Sequence, residues 1–81
     1  MTDETILERT NRLAHEEEDL WQQAGDSGGV GTAERERLDA IGLELDQCYD
    51  LLRQRQARRE FGQDPDDAQV RPAEVVERYQ Q

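Results

Sequence analysis

Seven residues near the first third of the chain decide what the rest can fold into. Gly25-Asp26-Ser27-Gly28-Gly29-Val30-Gly31 holds four glycines in seven positions. Such a run loses too much backbone entropy to be helical, so it cuts the chain into two arms. The first arm, 3–24, has no Gly or Pro. Ile6, Leu13 and Leu20 recur every seven residues, and Leu7, Ala14 and Trp21 follow one position on. Thr10, Glu17 and Ala24 complete a spacing of three and four. This is one stripe on a helix. Thr2 or Asp3 caps its start, where Asp3 and Glu4 also suit the positive helix end.

The second arm predicts a helix over 33–61, with Thr32 as N-cap and Gly62 as the stop. Leu38, Ile41, Leu45, Cys48 and Leu52 alternate by three and four, as in a coiled-coil seam. The same register continues into Arg55 and Arg59, so the seam turns basic. Gly42 interrupts the helix beside the seam. It marks either a close helix approach or a tolerated flaw.

A short turn between two long helices makes them antiparallel. Partners then sum to roughly 58, which pairs Leu20 with Leu38, Leu13 with Leu45, Thr10 with Cys48 and Ile6 with Leu52. Glu17 faces Ile41 as a polar interruption. An acidic linker, 62–71, follows. Pro72 then opens a short helix over 72–80 with Val75, Val76 and Tyr79 on its apolar face. A helix of that length cannot stand alone in water and must dock, near Ile6, Leu52 and Phe61. The whole reads as a single all-α domain: an antiparallel, coiled-coil-like hairpin with a short C-terminal helix.

Composition limits function. Leu, Ile, Val and Phe make up 15 of 81 residues, and 20 acids against 10 Arg give a net charge of -10. That is the edge of what can form a core, and it leaves little material for a walled catalytic cleft. The longest apolar run is two residues, so no membrane span is expected. The acidic start and single Cys suggest a cytoplasmic protein. A two-helix seam buries too little to offset the entropy of ordering the chain. Leu7, Trp21, Leu43, Tyr49 and Leu51 also fall off the seam. A second apolar surface of this kind points to a homodimeric four-helix bundle.

Motifs that suggest chemistry fail in context. Gly25-Asp26-Ser27-Gly28-Gly29 spells a serine-protease nucleophile, yet the one His, His15, lies on a helix and no strands are evident. Gly29-Val30-Gly31 lacks the third Gly of a dinucleotide loop, and Glu34 stands in its place. His15-Glu16-Glu17-Glu18-Asp19 lacks the second His of a zinc helix. Asp64, Asp66 and Asp67 lack the rest of a calcium loop. Cys48 in the seam behaves as a small hydrophobe. No cofactor, metal, small-molecule substrate or enzymatic activity is expected.

The Arg53-Gln54-Arg55-Gln56-Ala57-Arg58-Arg59 run is the one positive stretch. It either pairs with the acidic first helix and the acids at 64–67, or offers a site to a partner. With Trp21 and Tyr49, the residues Arg53, Arg55, Arg58 and Arg59 form the candidate interaction surface, these being hot-spot residue types. Two further readings stand beside a protein-interaction module. One is a transcription-machinery effector, a hairpin carrying Asp26 as its tip acid. The other is nucleic-acid binding through the Arg run, disfavoured by the net charge and the sparse aromatics.

The stretches Asp46-Gln47-Cys48-Tyr49-Asp50-Leu51-Leu52-Arg53 to Gly62 and Asp64-Pro65-Asp66-Asp67 to Tyr79 resemble a small actinobacterial family known as domain of unknown function 2630. The resemblance covers nearly the whole chain, strongest from Leu45 onward and loosest at the glycine turn. In that family an aromatic, often Trp, follows the Cys; here it is Tyr49. The resemblance implies a short cytoplasmic bacterial protein with no established activity, so no catalytic residue is carried over. It also implies that the Arg run and the tail form one unit.

Overall fold

The computed structural model describes residues 2–26 and 28–80, with side chains through residue 78. Ser27 and the side chain of Tyr79, both singled out in the sequence, lie outside the described residues. Helix α1 spans Asp3–Asp26, α2 spans Thr32–Glu60, a 3-10 turn spans Pro65–Asp67, and α3 spans Ala73–Gln80. Among the described residues every regular element is helical.

The helix ends show where local chemistry differs from the simplest reading. Thr2, rather than Asp3, caps α1: its Oγ1 accepts from the Thr5 N–H at 3.2 Å. Asp3 is thereby left for other partners. Helix α1 runs on through Gly25 and Asp26, two residues past the expected end. The Gly29 N–H reaches back to the Ala24 carbonyl at 2.7 Å, and Gly28 takes φ +85°. That left-handed residue is what turns the chain out of the helix. At the start of α2, Gly31 occupies the cap position without a side-chain bond, so Thr32 is the first helical residue and not the cap. Helix α2 closes at Gly62, φ +70°, with Gln63 N–H to the Arg58 carbonyl at 2.7 Å and Gly62 N–H to the Arg59 carbonyl at 3.2 Å. Asp64 folds the 3-10 turn by accepting from the Asp66 N–H at 2.9 Å.

Helices α1 and α2 pack against each other through Ile6, Leu13, Ile41, Leu45, Cys48 and Leu51, with Leu20, Leu52 and Ala68 at the margin. Leu51 replaces Leu52 as the buried residue at this level, contrary to its expected place off the seam. It faces a groove lined by Thr5, Ile6 and the tail residue Val70, so the tail covers it. Phe61 also departs from expectation: it is 79% exposed and takes no part in tail docking. Helix α3 instead lies along α2 on the side away from α1 and buries Val76.

The helices thus stand side by side, α1, α2, α3, in one layer. The principal extents are 51 × 25 × 15 Å. The radius of gyration, 15.2 Å, exceeds the roughly 12 Å of a compact chain this long.

Candidate functional site

The Arg run does not behave as one surface. Arg55, in the seam register, is 6% exposed. Its Nε donates to Asp3 at 2.5 Å, and its Nη1 donates to the Pro65 carbonyl at 3.1 Å and to Asp66 at 3.0 Å. Arg59 donates to the other oxygen of Asp3 at 2.6 Å. These two guanidinia hold the Asp3 carboxyl at about 2, well below its ordinary 3.8. Arg55 is therefore a tie between the start of α1, the last third of α2 and the acidic linker, and is not a docking residue. Arg53 and Arg59 are exposed and Arg58 is half-buried. Trp21 and Tyr49 are 55% and 47% exposed. Asp26, the tip acid, is exposed at the end of α1.

A second tie escaped the sequence reading. Asp50 is buried on the face of α2 that meets the tail, and accepts from Arg71 through both carboxylate oxygens and from Gln54 at 2.9 Å. The Arg71 guanidinium lowers the Asp50 carboxyl. Gln54 also donates to the Gln69 carbonyl at 2.9 Å, and Gln47 to the Arg71 carbonyl at 3.1 Å. The signal was present as Gln47, Asp50 and Gln54 at three-and-four spacing, a polar stripe opposite the seam.

The two broad faces of the hairpin differ. On one, Thr5, Arg9, Arg12 and Glu16 of α1 face Arg37, Glu44 and Gln47 of α2. Arg37 clasps Glu16 with both nitrogens, at 2.6 and 2.8 Å, and Arg9 lies 3.6 Å from Glu44. A groove of about 260 Å³ runs here, with Ile6, Cys48 and Leu51 in its lining. The opposite face carries Leu7, Ala14 and Trp21 from α1 and Gly42 and Tyr49 from α2, with Asp46 and Arg53 at three-and-four spacing between and beyond the last two. These positions repeat every seven residues, and in antiparallel helices both sets fall on one side of the layer. No ion pair within the described residues crosses this face. Among those residues no three His, Cys, Asp or Glu side chains gather as metal ligands. No helix among them is long and apolar enough to cross a membrane.

The family described as "Protein of unknown function (DUF2630)" matches residues 2–81. The chain belongs to that family. Within DUF2630 it is similar to uncharacterized proteins of Mycobacterium tuberculosis and Mycobacterium bovis, each 46% identical over 78 residues, covering 96% of this chain and 90% of the relative. No solved structure matches the chain. The DUF2630 match takes in both the Arg run and the tail, the segments joined here by Arg55, Asp66, Asp50 and Arg71.

Proposed function

We propose that the chain is a non-enzymatic, cytoplasmic protein-interaction module that pairs with itself into a dimeric four-helix bundle. One observation carries this reading: a single layer of helices leaves Trp21 and Tyr49 half exposed on an apolar face, while its opposite face is tied by ion pairs. Stable domains bury such a face against a second layer. A large aromatic left at a surface is also the residue type that anchors binding.

The nucleic-acid reading draws less support, because Arg55 and Arg59 spend their charge on Asp3 and Asp66. The transcription-effector reading rests on Asp26 alone and gains no further residue.

Sedimentation equilibrium across micromolar concentrations tests the proposal. A species of about 19 kDa, twice the 9.4 kDa chain, supports it. A folded monomer throughout removes self-association. Capture of a native partner by that monomer, lost on Trp21→Ala or Tyr49→Ala, would then be what keeps the module reading.

A further inference from the structure

We propose that the groove on the ion-paired face of the hairpin binds a small amphiphilic anion, a medium-chain carboxylate whose chain lies against Ile6, Leu51 and Val70 and whose head group meets Arg12.

The groove has two unlike ends. Its deep wall is built from Ile6, Cys48 and Leu51, all buried, and its rim includes Val70 of the tail, which is 55% exposed. Val70 stands on the irregular segment between the 3-10 turn and α3. Gln54 holds the carbonyl before it, at Gln69, and Gln47 holds the carbonyl after it, at Arg71. The main chain on both sides is thus fixed, and the Val70 side chain is kept at the groove edge, half in water. An alkyl chain laid along the groove takes that apolar surface out of water. The other end is cationic, lined by Arg9 and Arg12. Ile6 and Arg12 are separated along α1 by ~9 Å, at a rise of ~1.5 Å per residue.

Charge decides the sign of the head group. The acids around the cationic end are engaged or turned away. Glu16 gives both oxygens to Arg37, at 2.6 and 2.8 Å, and Glu44 lies 3.6 Å from Arg9. Glu8, one turn before Arg12, is exposed and forms no ion pair with it. Arg12 itself is exposed at the mouth and has no ion pair among the described residues. In a chain of net charge -10, this cation stands unmatched beside apolar surface. A carboxylate placed there gains a charge-assisted hydrogen bond, whereas an alkylammonium meets Arg9 and Arg12 as like charges. Size narrows the class further. The groove holds about 260 Å³, against roughly 300–1,000 Å³ for sites that take drug-sized molecules. One short chain fits; a two-chain lipid does not.

The test is titration of the full chain with octanoate below its micelle concentration, followed by amide chemical shifts. Saturable shifts centred on Thr5, Arg9, Arg12, Cys48 and Val70 are expected. Octanol, with the same chain and no charge, should bind about fivefold more weakly, the scale of an exposed ion pair. Arg12→Gln, at an exposed position, should weaken octanoate by about the same factor and leave octanol unchanged. Val70→Asp, also exposed, should abolish binding of both by setting a charge against the chain. Octyltrimethylammonium should give no saturable shift in the groove. Absence of saturation with octanoate overturns the site. Equal binding of octanoate and octyltrimethylammonium, or of octanoate to wild type and Arg12→Gln, overturns the assignment of charge. Shifts centred instead on Trp21 and Tyr49 would mark adsorption to the other broad face and overturn the groove. Dimerisation is read separately by sedimentation, so neither result decides the other.

Discussion

Asp3 and Arg55 are 52 positions apart in the chain and hydrogen-bonded in the fold. The bond spans the open end of the hairpin, the end with no connecting loop. Arg55 adds the Pro65 carbonyl and Asp66, so one buried guanidinium fixes three segments. Arg59 shares Asp3 but is exposed. Exposed pairs contribute little, whereas removing a buried, multiply bonded cation loses every bond it made. Arg55→Ala should lower the urea midpoint several times more than Arg59→Ala. Equal effects from the two variants would show that burial of Arg55 carries no extra stability.

The Asp3 carboxyl sits at about 2, against 3.8 in an unconstrained chain, because two guanidinia favour its ionised form. A depressed carboxylate contributes stability that is full above 3.8 and lost as pH falls through about 2. Thermal melts between those values should show the loss, and Asp3→Asn should flatten that part of the profile while lowering stability at neutral pH. An unaltered acid limb in Asp3→Asn would assign the transition to other carboxylates.

Much of this architecture was legible because it rests on period and punctuation. The seven-residue repeats of Ile6, Leu13 and Leu20, and the glycines at 28 and 62, specify helices and stops with short-range physics. The Arg55 tie was half legible: register placed it at the seam and composition supplied acids, but capping alone does not choose between Thr2 and Asp3, and only the fold shows that Thr2 caps α1 and Asp3 is left for Arg55. Leu51 and Phe61 were misread for one reason. Both depend on where an irregular segment of about ten residues lies, and no periodicity governs such a segment. The Asp50–Arg71 bond was missed because a buried carboxylate and a solvated one have the same spelling.

Core substitutions should separate seam from surface. Ile41 is fully buried, so Ile41→Ala should cost about 2–5 kcal/mol by chemical denaturation. Phe61 is exposed, so Phe61→Ser should change stability by no more than about 0.5 kcal/mol. A large loss at Phe61 would mean that it is covered in solution by another chain.

Tail docking should respond to pH in two opposite directions. Asp50, lowered by Arg71, favours docking above the ordinary carboxylate range and loses that contribution in acid. Glu77 is raised by the Asp46 carboxylate beside it, so its contribution is full below its unfolded value of 4.5 and fades as pH rises through the higher folded value. Glu77→Gln removes that repulsion and should slow amide exchange in 73–80 at neutral pH. Asp50→Ala, which removes charge-assisted bonds to Arg71, should weaken docking by about 1.5–3 kcal/mol and expose the same amides. Unchanged exchange in both variants would place the hold on α3 in Val76 alone.

Gln47 and Gln54 grip the tail by its carbonyl oxygens at Arg71 and Gln69, not by side chains. A main-chain acceptor is the same whatever residue bears it. Position 69 is therefore open to substitution in a way that 47 and 54 are not, and the tail could be re-lettered there without coming loose. Evolution, or an engineer, can change what this edge of the molecule displays while the latch on α2 stays as it is.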